Sequence, residues 1–137
     1  MSWFSAAADE ESVYDAERAP SVVDPGKALL GKHLFRSFCA SCHGPGAQGN
    51  GSIADMLRVP PSDLTQLAVE NDGQFPYDRC MAVIDGREPV KGHGTSDMPA
   101  WGDAFAEISN SNEQVDDRIS QLVHFIWSIQ ESSPTDD

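Results

Sequence analysis

Five consecutive residues, Cys39-Ala40-Ser41-Cys42-His43, combine two thiols and an imidazole at a spacing that suits one particular chemistry. The pattern C-x-x-C-H is the attachment sequence of c-type haem. Two thiols three residues apart at the end of a helix can reach the two vinyl groups on one edge of a porphyrin, and the following His then lies beneath the iron. We therefore predict one covalent haem c, attached through Cys39 and Cys42, with His43 as an iron ligand.

Three other interpretations of these residues compete with haem attachment. A thioredoxin-like C-x-x-C needs a βαβ surround, and the sequence has no strand-type runs to supply one. A structural zinc site using Cys39, Cys42, Cys80 and His43 is disfavoured, because zinc ribbons and fingers usually present a second close ligand pair. A chance match is the third interpretation, and it leaves the later Met98-Pro99 segment unexplained.

The length of the chain favours one globular domain, and its charge favours docking with other proteins. The chain has 137 residues and a formal net charge of −13, and no run approaches the ~18 apolar residues of a membrane helix. This acidity argues against binding to nucleic acid or to anionic membranes. It favours redox partners with a basic docking patch, although solubility or adaptation to high salt explains the charge equally well.

Haem attachment to C-x-x-C-H takes place outside the bacterial cytoplasm, which predicts a periplasmic or otherwise exported location. Residues 1–8 lack the basic and apolar regions of an intact signal peptide, although Ala6-Ala7-Ala8 resembles the end of one. A piece of a longer, membrane-anchored chain fits equally well.

Haem attachment uses Cys39 and Cys42 and leaves the third cysteine, Cys80, without a partner cysteine. We expect Cys80 to be a small buried hydrophobe.

Capping residues and apolar spacing predict an all-α domain over 24–131, between an acidic extension at 1–23 and a polar tail at 132–137. Asp24-Pro25 begins the first helix, which ends near Cys42. Ser111 to Gln114 forms a capping box for the last helix. About five helices are predicted: the first from Asp24 to about Cys42, then 64–70, 77–85 with Gly86 as its C-cap, 100–108 and 113–130.

The glycine-rich segment 44–61 is expected to wrap a flat cofactor. A phosphate-binding loop is disfavoured, because no strand precedes this segment and no Lys-Ser/Thr follows it. A ligating histidine normally donates its second ring N–H to an acceptor. The carbonyls of Pro60 and Pro61 are the predicted acceptors for Nδ1–H of His43.

Beyond these patterns, the chain resembles a class I c-type cytochrome over about residues 25–130. The resemblance rests on three features: Cys39 to His43, the run Met98-Pro99-Ala100-Trp101-Gly102, and terminal helices carrying Gly31-x-x-x-Phe35 and Leu122-x-x-Phe125. It implies a cytochrome c fold around one haem, in which the two terminal helices cross with the aromatic residue resting on Gly31.

The resemblance also implies a methionine as the sixth iron ligand, on a loop well after the haem motif. Met98 fits best, because it lies 55 residues beyond His43 in an irregular Gly/Pro loop and is followed by Pro99. Met81 and Met56 are expected in the core, and His93 is a weaker ligand candidate.

The resemblance suggests roles for two further residues, and two histidines have no special role in it. Trp101 and Arg87 match residues that hydrogen-bond haem propionates in this family, with plain core packing equally open for Trp101. His33 and His124 are expected at the surface.

The implied function is that of a soluble single-electron carrier, not an enzyme and without catalytic residues. It would cycle haem iron between Fe(II) and Fe(III) for a respiratory or photosynthetic chain, since a His/Met pair saturates the iron and Met raises the potential. Two alternatives stay open. One is a haem enzyme or gas-binding sensor with a displaceable Met98, and the other is a cytochrome c module of a larger membrane-anchored oxidoreductase.

Overall fold

The computed structural model describes residues 19–87 and 98–132, and the regular structure in these ranges is helical throughout. Most of the predicted extension and tail, together with His93, lies outside the described residues. Five α-helices are present in the described ranges: α1 (Pro25–Phe38), α2 (Ala40–His43), α3 (Tyr77–Asp85), α4 (Trp101–Ile108) and α5 (Asn112–Ser128). These ranges contain no strand, which confirms the all-α prediction. None of the helices seen in them is long and apolar enough to cross a membrane.

Local capping sets the start of α1 and the end of α3 at the residues that the sequence predicts. The Asp24 carboxylate accepts a hydrogen bond of 3.1 Å from the Lys27 N–H, and Pro25 opens α1. Gly86 ends α3 in the left-handed region at φ 66°, which suits glycine. The first helix stops earlier than predicted: its geometry breaks at Cys39, and α2 is a separate single turn.

The helix predicted over 64–70 is wrong, because its backbone groups are bonded elsewhere. Two 3₁₀ turns, Leu64–Gln66 and Val69–Asn71, occupy this segment. The Gln130 side chain donates to the Leu64 carbonyl at 2.5 Å and accepts from the Ala68 N–H at 2.9 Å. Gln130, two residues beyond α5, therefore takes the place of the hydrogen bond that Leu64 and Ala68 would make to each other in an α-helix.

The N-terminus of α5 uses the predicted capping residues in a slightly different pattern. Ser111 Oγ accepts from the Gln114 N–H at 3.2 Å, as expected for a capping box. The Gln114 side chain bonds instead to the N–H of Asn110, at 2.8 Å, one residue before the cap. The buried stripe of α5 includes Val115, Ile119, Leu122 and Ile126, as the spacing predicts.

Helices α1 and α5 pack against each other with no room for a side chain at Gly31. A Cβ built on Gly31 would lie 1.8 Å from the backbone carbonyl oxygen of Gln121. One turn further along, the rings of Phe35 and Phe125 are in contact, with their centroids 5.2 Å apart. The contact predicted between the terminal helices is thus present, although Phe125 rests on Phe35 and backbone atoms of α5 rest on Gly31.

His124 is buried, contrary to the surface position expected for it. Its side chain is 2% exposed and packs edge-on against Tyr77, with ring centroids 5.5 Å apart. Its Nδ1 accepts the N–H of Asp24 at 3.0 Å, which joins the start of α1 to α5. Burial lowers the pKa of His124, and the nearby positive charge of Lys27 lowers it further, so this acceptor stays neutral at pH 7.

Gly31→Ala should destabilise the protein, because the added methyl group meets backbone rather than a movable side chain. Overpacking of this kind costs about 1–3 kcal/mol. Gly26→Ala is the matched control, since a Cβ there meets the Asp24 carboxylate at an ordinary 3.4 Å. Denaturant unfolding of the haem-loaded protein measures both changes. Equal stability of the two variants would show that α1 and α5 do not approach as described.

Candidate haem-binding site

One cavity of about 500 Å³ gathers most of the residues that the sequence singles out. Its lining includes Cys39, Cys42, His43, Pro61, Met98 and Trp101. The remaining wall is mainly apolar and comes from α1, α3, α5 and the segment 57–67, through Phe35, Phe38, Leu57, Val59, Leu64, Leu67, Val83, Ile84 and Ile126. Two thiols, an imidazole and a thioether facing an apolar slot are the donor set that a covalently held haem requires.

The break between α1 and α2 presents the two cysteines to this cavity. The Cys39 N–H still bonds to the Phe35 carbonyl at 2.8 Å, so Cys39 is held at the end of α1. The His43 N–H bonds to the Cys39 carbonyl at 2.9 Å and closes the single turn of α2. Both thiols and the imidazole are half-buried, and they lie on one wall.

The glycine-rich segment supports the haem motif from behind. Three of its N–H groups, from Gly49, Gly51 and Ile53, bond to the carbonyls of His43, Cys42 and Ser41 at 2.7 to 3.0 Å. A Cβ on Gly51 would lie 2.2 Å from the Ser41 carbonyl oxygen. Within 44–61, the predicted wrapping role therefore applies only to Leu57 and residues 59–61, which line the cavity. Residues 44–53 instead hold the motif rigid by pairing its orphan carbonyls.

The acceptor for His43 is one residue beyond the predicted one. Nδ1 lies 3.1 Å from the carbonyl oxygen of Ser62, and Nδ1 must be the donor because a carbonyl only accepts. The Pro61 carbonyl instead faces Gly49, so the assignment to Pro60 or Pro61 is wrong. Burial lowers the pKa of His43, partly offset by this hydrogen bond. The neutral ring keeps a lone pair on Nε2 for iron.

Aromatic packing fixes the Met98 segment relative to the haem motif. Phe38, at the end of α1, contacts Trp101 and Phe105 of α4, with centroid distances of 5.5 and 5.4 Å. Trp101 and Phe105 are in turn 5.8 Å apart. Because Met98 precedes α4 by three residues, this cluster determines where Met98 meets the cavity.

The other two methionines of the described chain do not line the cavity. Met81 is 5% exposed and lies in the core, as predicted. Met56 is 76% exposed, so the core position expected for it is wrong. Among the described methionines, Met98 alone lines the cavity.

Arg87 does not line the cavity, and a different arginine does. The Arg87 guanidinium bonds to the Asp85 carboxylate through Nε and Nη2 at 2.5 and 3.1 Å, and Nη2 lies 3.7 Å from Asp116. Arg79 on α3 lines the cavity instead. Sequence reasoning missed it; Arg79 lies four residues before Val83, on one face of α3, and both side chains line the cavity.

The described residues give the zinc interpretation no support. Burial, together with the neighbouring Cys42, raises the pKa of Cys39 to about 12, and burial raises that of Cys80 to about 12. Both groups are therefore protonated thiols near pH 7 in the chain as described. No cluster of three or more His, Cys, Asp or Glu side chains suited to a metal occurs among residues 19–87 and 98–132.

Comparison with known proteins agrees with this geometry. Residues 26–126, roughly three quarters of the chain, match the family model described as "Cytochrome C oxidase, cbb3-type, subunit III". The chain belongs to this family. It is therefore a c-type cytochrome domain, with haem-based electron transfer to redox partners as its function, and such cytochromes are typically exported. No curated protein and no solved structure matches the chain significantly.

Haem should stay with the polypeptide under denaturing conditions, because both thioethers are covalent. Haem staining after denaturing electrophoresis should therefore label the chain, and thiol titration of the unfolded protein should find one free thiol, that of Cys80. The double variant Cys39→Ala/Cys42→Ala should lose the stain, whereas the matched Cys80→Ala should keep it. Three free thiols and extractable haem in the unaltered chain would contradict this attachment.

Proposed function

We propose that this chain is a mono-haem relay that carries one electron at a time, and that His43 and Met98 would be the two side chains that ligate its iron. The observation that carries the proposal is that His43 and Met98 line the same cavity as Cys39 and Cys42. When bound there, haem supplies an iron that cycles between Fe(II) and Fe(III). If His43 and Met98 both held the iron, no ligand position would be open to a substrate.

The chain's own residues keep this site rigid. Ser62 holds the His43 ring in one orientation through the Nδ1 hydrogen bond, which also raises the basicity of the ligating nitrogen. A thioether from Met98 favours the reduced state and raises the potential. The apolar wall excludes water, so the surroundings change little when the charge on the site changes by one.

Arg79 and Trp101 are the residues we assign to the haem carboxylates. Both line the cavity, and an arginine guanidinium and an indole N–H are suitable donors to carboxylates. Arg87 is already paired with Asp85, which supports giving its predicted role to Arg79.

The surface beside the cavity suits brief contact with a partner. Val59, a lining residue, is 51% exposed, and nearby Met56 is 76% exposed. Exposed apolar side chains at such a place favour weak, transient docking. The net charge of −13 supports a partner whose own docking site is basic, because opposite charges speed the encounter.

Met98→Ala should remove the axial thioether, lower the reduction potential and admit carbon monoxide to the ferrous protein. The direct measurement is the weak long-wavelength Met–Fe(III) absorption band, which should disappear. Met81→Ala is the control: it should keep the band and cost only core packing, about 2–5 kcal/mol of stability. A band that survives in Met98→Ala would refute Met98 as ligand.

Two settings fit this relay, a soluble carrier and a module of a larger oxidase. The family description favours the oxidase module. Antibody against the native chain should then detect it in membranes and recover it together with oxidase subunits after mild detergent extraction. Recovery of the chain by itself from the periplasmic fraction would favour the soluble carrier.

A further inference from the structure

Three side chains form an ion cluster next to the segment that carries Met98. Asp85 ends α3, Arg87 follows two residues later, and Asp116 lies in the second turn of α5. Arg87 binds Asp85 through two nitrogens and reaches Asp116 at 3.7 Å. We call Asp85, Arg87 and Asp116 the Arg87 clamp.

The clamp lies where the chain leaves α3 and where it returns at α4. A Cβ on Gly86 would lie 2.8 Å from the Cα of Ala100. A Cβ on Gly102 would lie 2.0 Å from the Asp85 carboxylate and 2.6 Å from Nε of Arg87. Residues 85–87 and 100–102 are therefore in direct contact, with Met98 two residues before that contact.

Stability alone is a poor explanation for this cluster. The Asp85 residue is 6% exposed, and taking a carboxylate and a guanidinium out of water costs about as much as their attraction returns. Asp116 Oδ1 is also buried and makes no hydrogen bond among the described residues. Burial accordingly raises the pKa of Asp116, against the lowering effect of Arg87. Directional pairing of this kind is better suited to fixing position.

We propose that the Arg87 clamp is a positioning device for Met98, holding both ends of its segment together and tying them to α5. This inference rests on the proposed function, in which Met98 is the sixth ligand. An added ligand such as imidazole must wait for Met98 to move away, so its apparent affinity reports the fraction of molecules with Met98 displaced. Loosening the clamp raises that fraction.

The test is a spectroscopic titration of the oxidised, haem-loaded protein with imidazole. Arg87→Gln removes the guanidinium that binds the buried Asp85 carboxylate and should raise the apparent imidazole affinity about tenfold. Arg87→Lys should give a smaller rise, because lysine keeps the charge but cannot engage Asp85 with two nitrogens. Gly102→Ala should also raise the affinity, since its methyl group separates Asp85 from Arg87 without changing any charge.

Two controls separate positioning from general effects. Arg118→Gln also removes one arginine charge, but from a residue of α5 outside the Arg87 clamp. Ile119→Ala destabilises the core, because Ile119 is 0% exposed. Neither should change the imidazole affinity, although Ile119→Ala should lower the unfolding free energy.

The outcomes distinguish this inference from the function on which it rests. If the unaltered protein shows the Met–Fe(III) band and Met98→Ala loses it, the ligand assignment stands. Imidazole affinities of Arg87→Gln and Gly102→Ala equal to that of Arg118→Gln would then overturn the clamp alone. Should Arg87→Gln fail to retain haem, Arg87→Lys and Gly102→Ala decide the matter by the same comparison. A protein without the band would instead reject the proposed function.

Discussion

The domain depends on the close approach of α1 and α5 at Gly31, where the carbonyl of Gln121 occupies the place of a side chain. This contact sets the position of both walls of the haem cavity. Cys39 follows the last residue of α1, while α5 contributes Ile126 to the lining. Contacts on either side keep the two helices in register, through Asp24 with His124 and through Phe35 with Phe125. Phe35 is itself part of the cavity wall.

Irregular backbone can be rigid when its polar groups are all engaged. The segment after the haem motif contains little regular structure, yet its N–H groups cap the carbonyls of residues 41–43. Further along, the Ser62 carbonyl orients His43, and Gln130 bonds the backbone around Leu64 and Ala68. A fixed frame of this kind suits electron transfer, because a site that moves little needs little rearrangement when it gains or loses an electron.

Arg79 in α3 and Arg87 just beyond it show how neighbours decide what one residue type does. Arg79 faces the cavity, where a guanidinium can meet haem carboxylates. Arg87 is chemically identical, but the buried Asp85 and the nearby Asp116 engage it. Its place in the structure is therefore the junction between α3, α4 and α5, and its proposed effect on the iron is indirect, through Met98.

By itself, the sequence determined the haem motif, the helical class, the start of α1 and both ends of α3, because these depend on spacing and capping among near neighbours. Only the tertiary structure decided the features that depend on distant residues. Hydrogen bonds from Gln130 accompany two 3₁₀ turns at 64–70, where a helix was predicted. Contacts with Asp24 and Tyr77 surround the buried His124 side chain, which was expected at the surface. The acceptor for His43 became Ser62 rather than Pro61 for the same reason: backbone direction across a loop follows from packing, which local sequence does not specify.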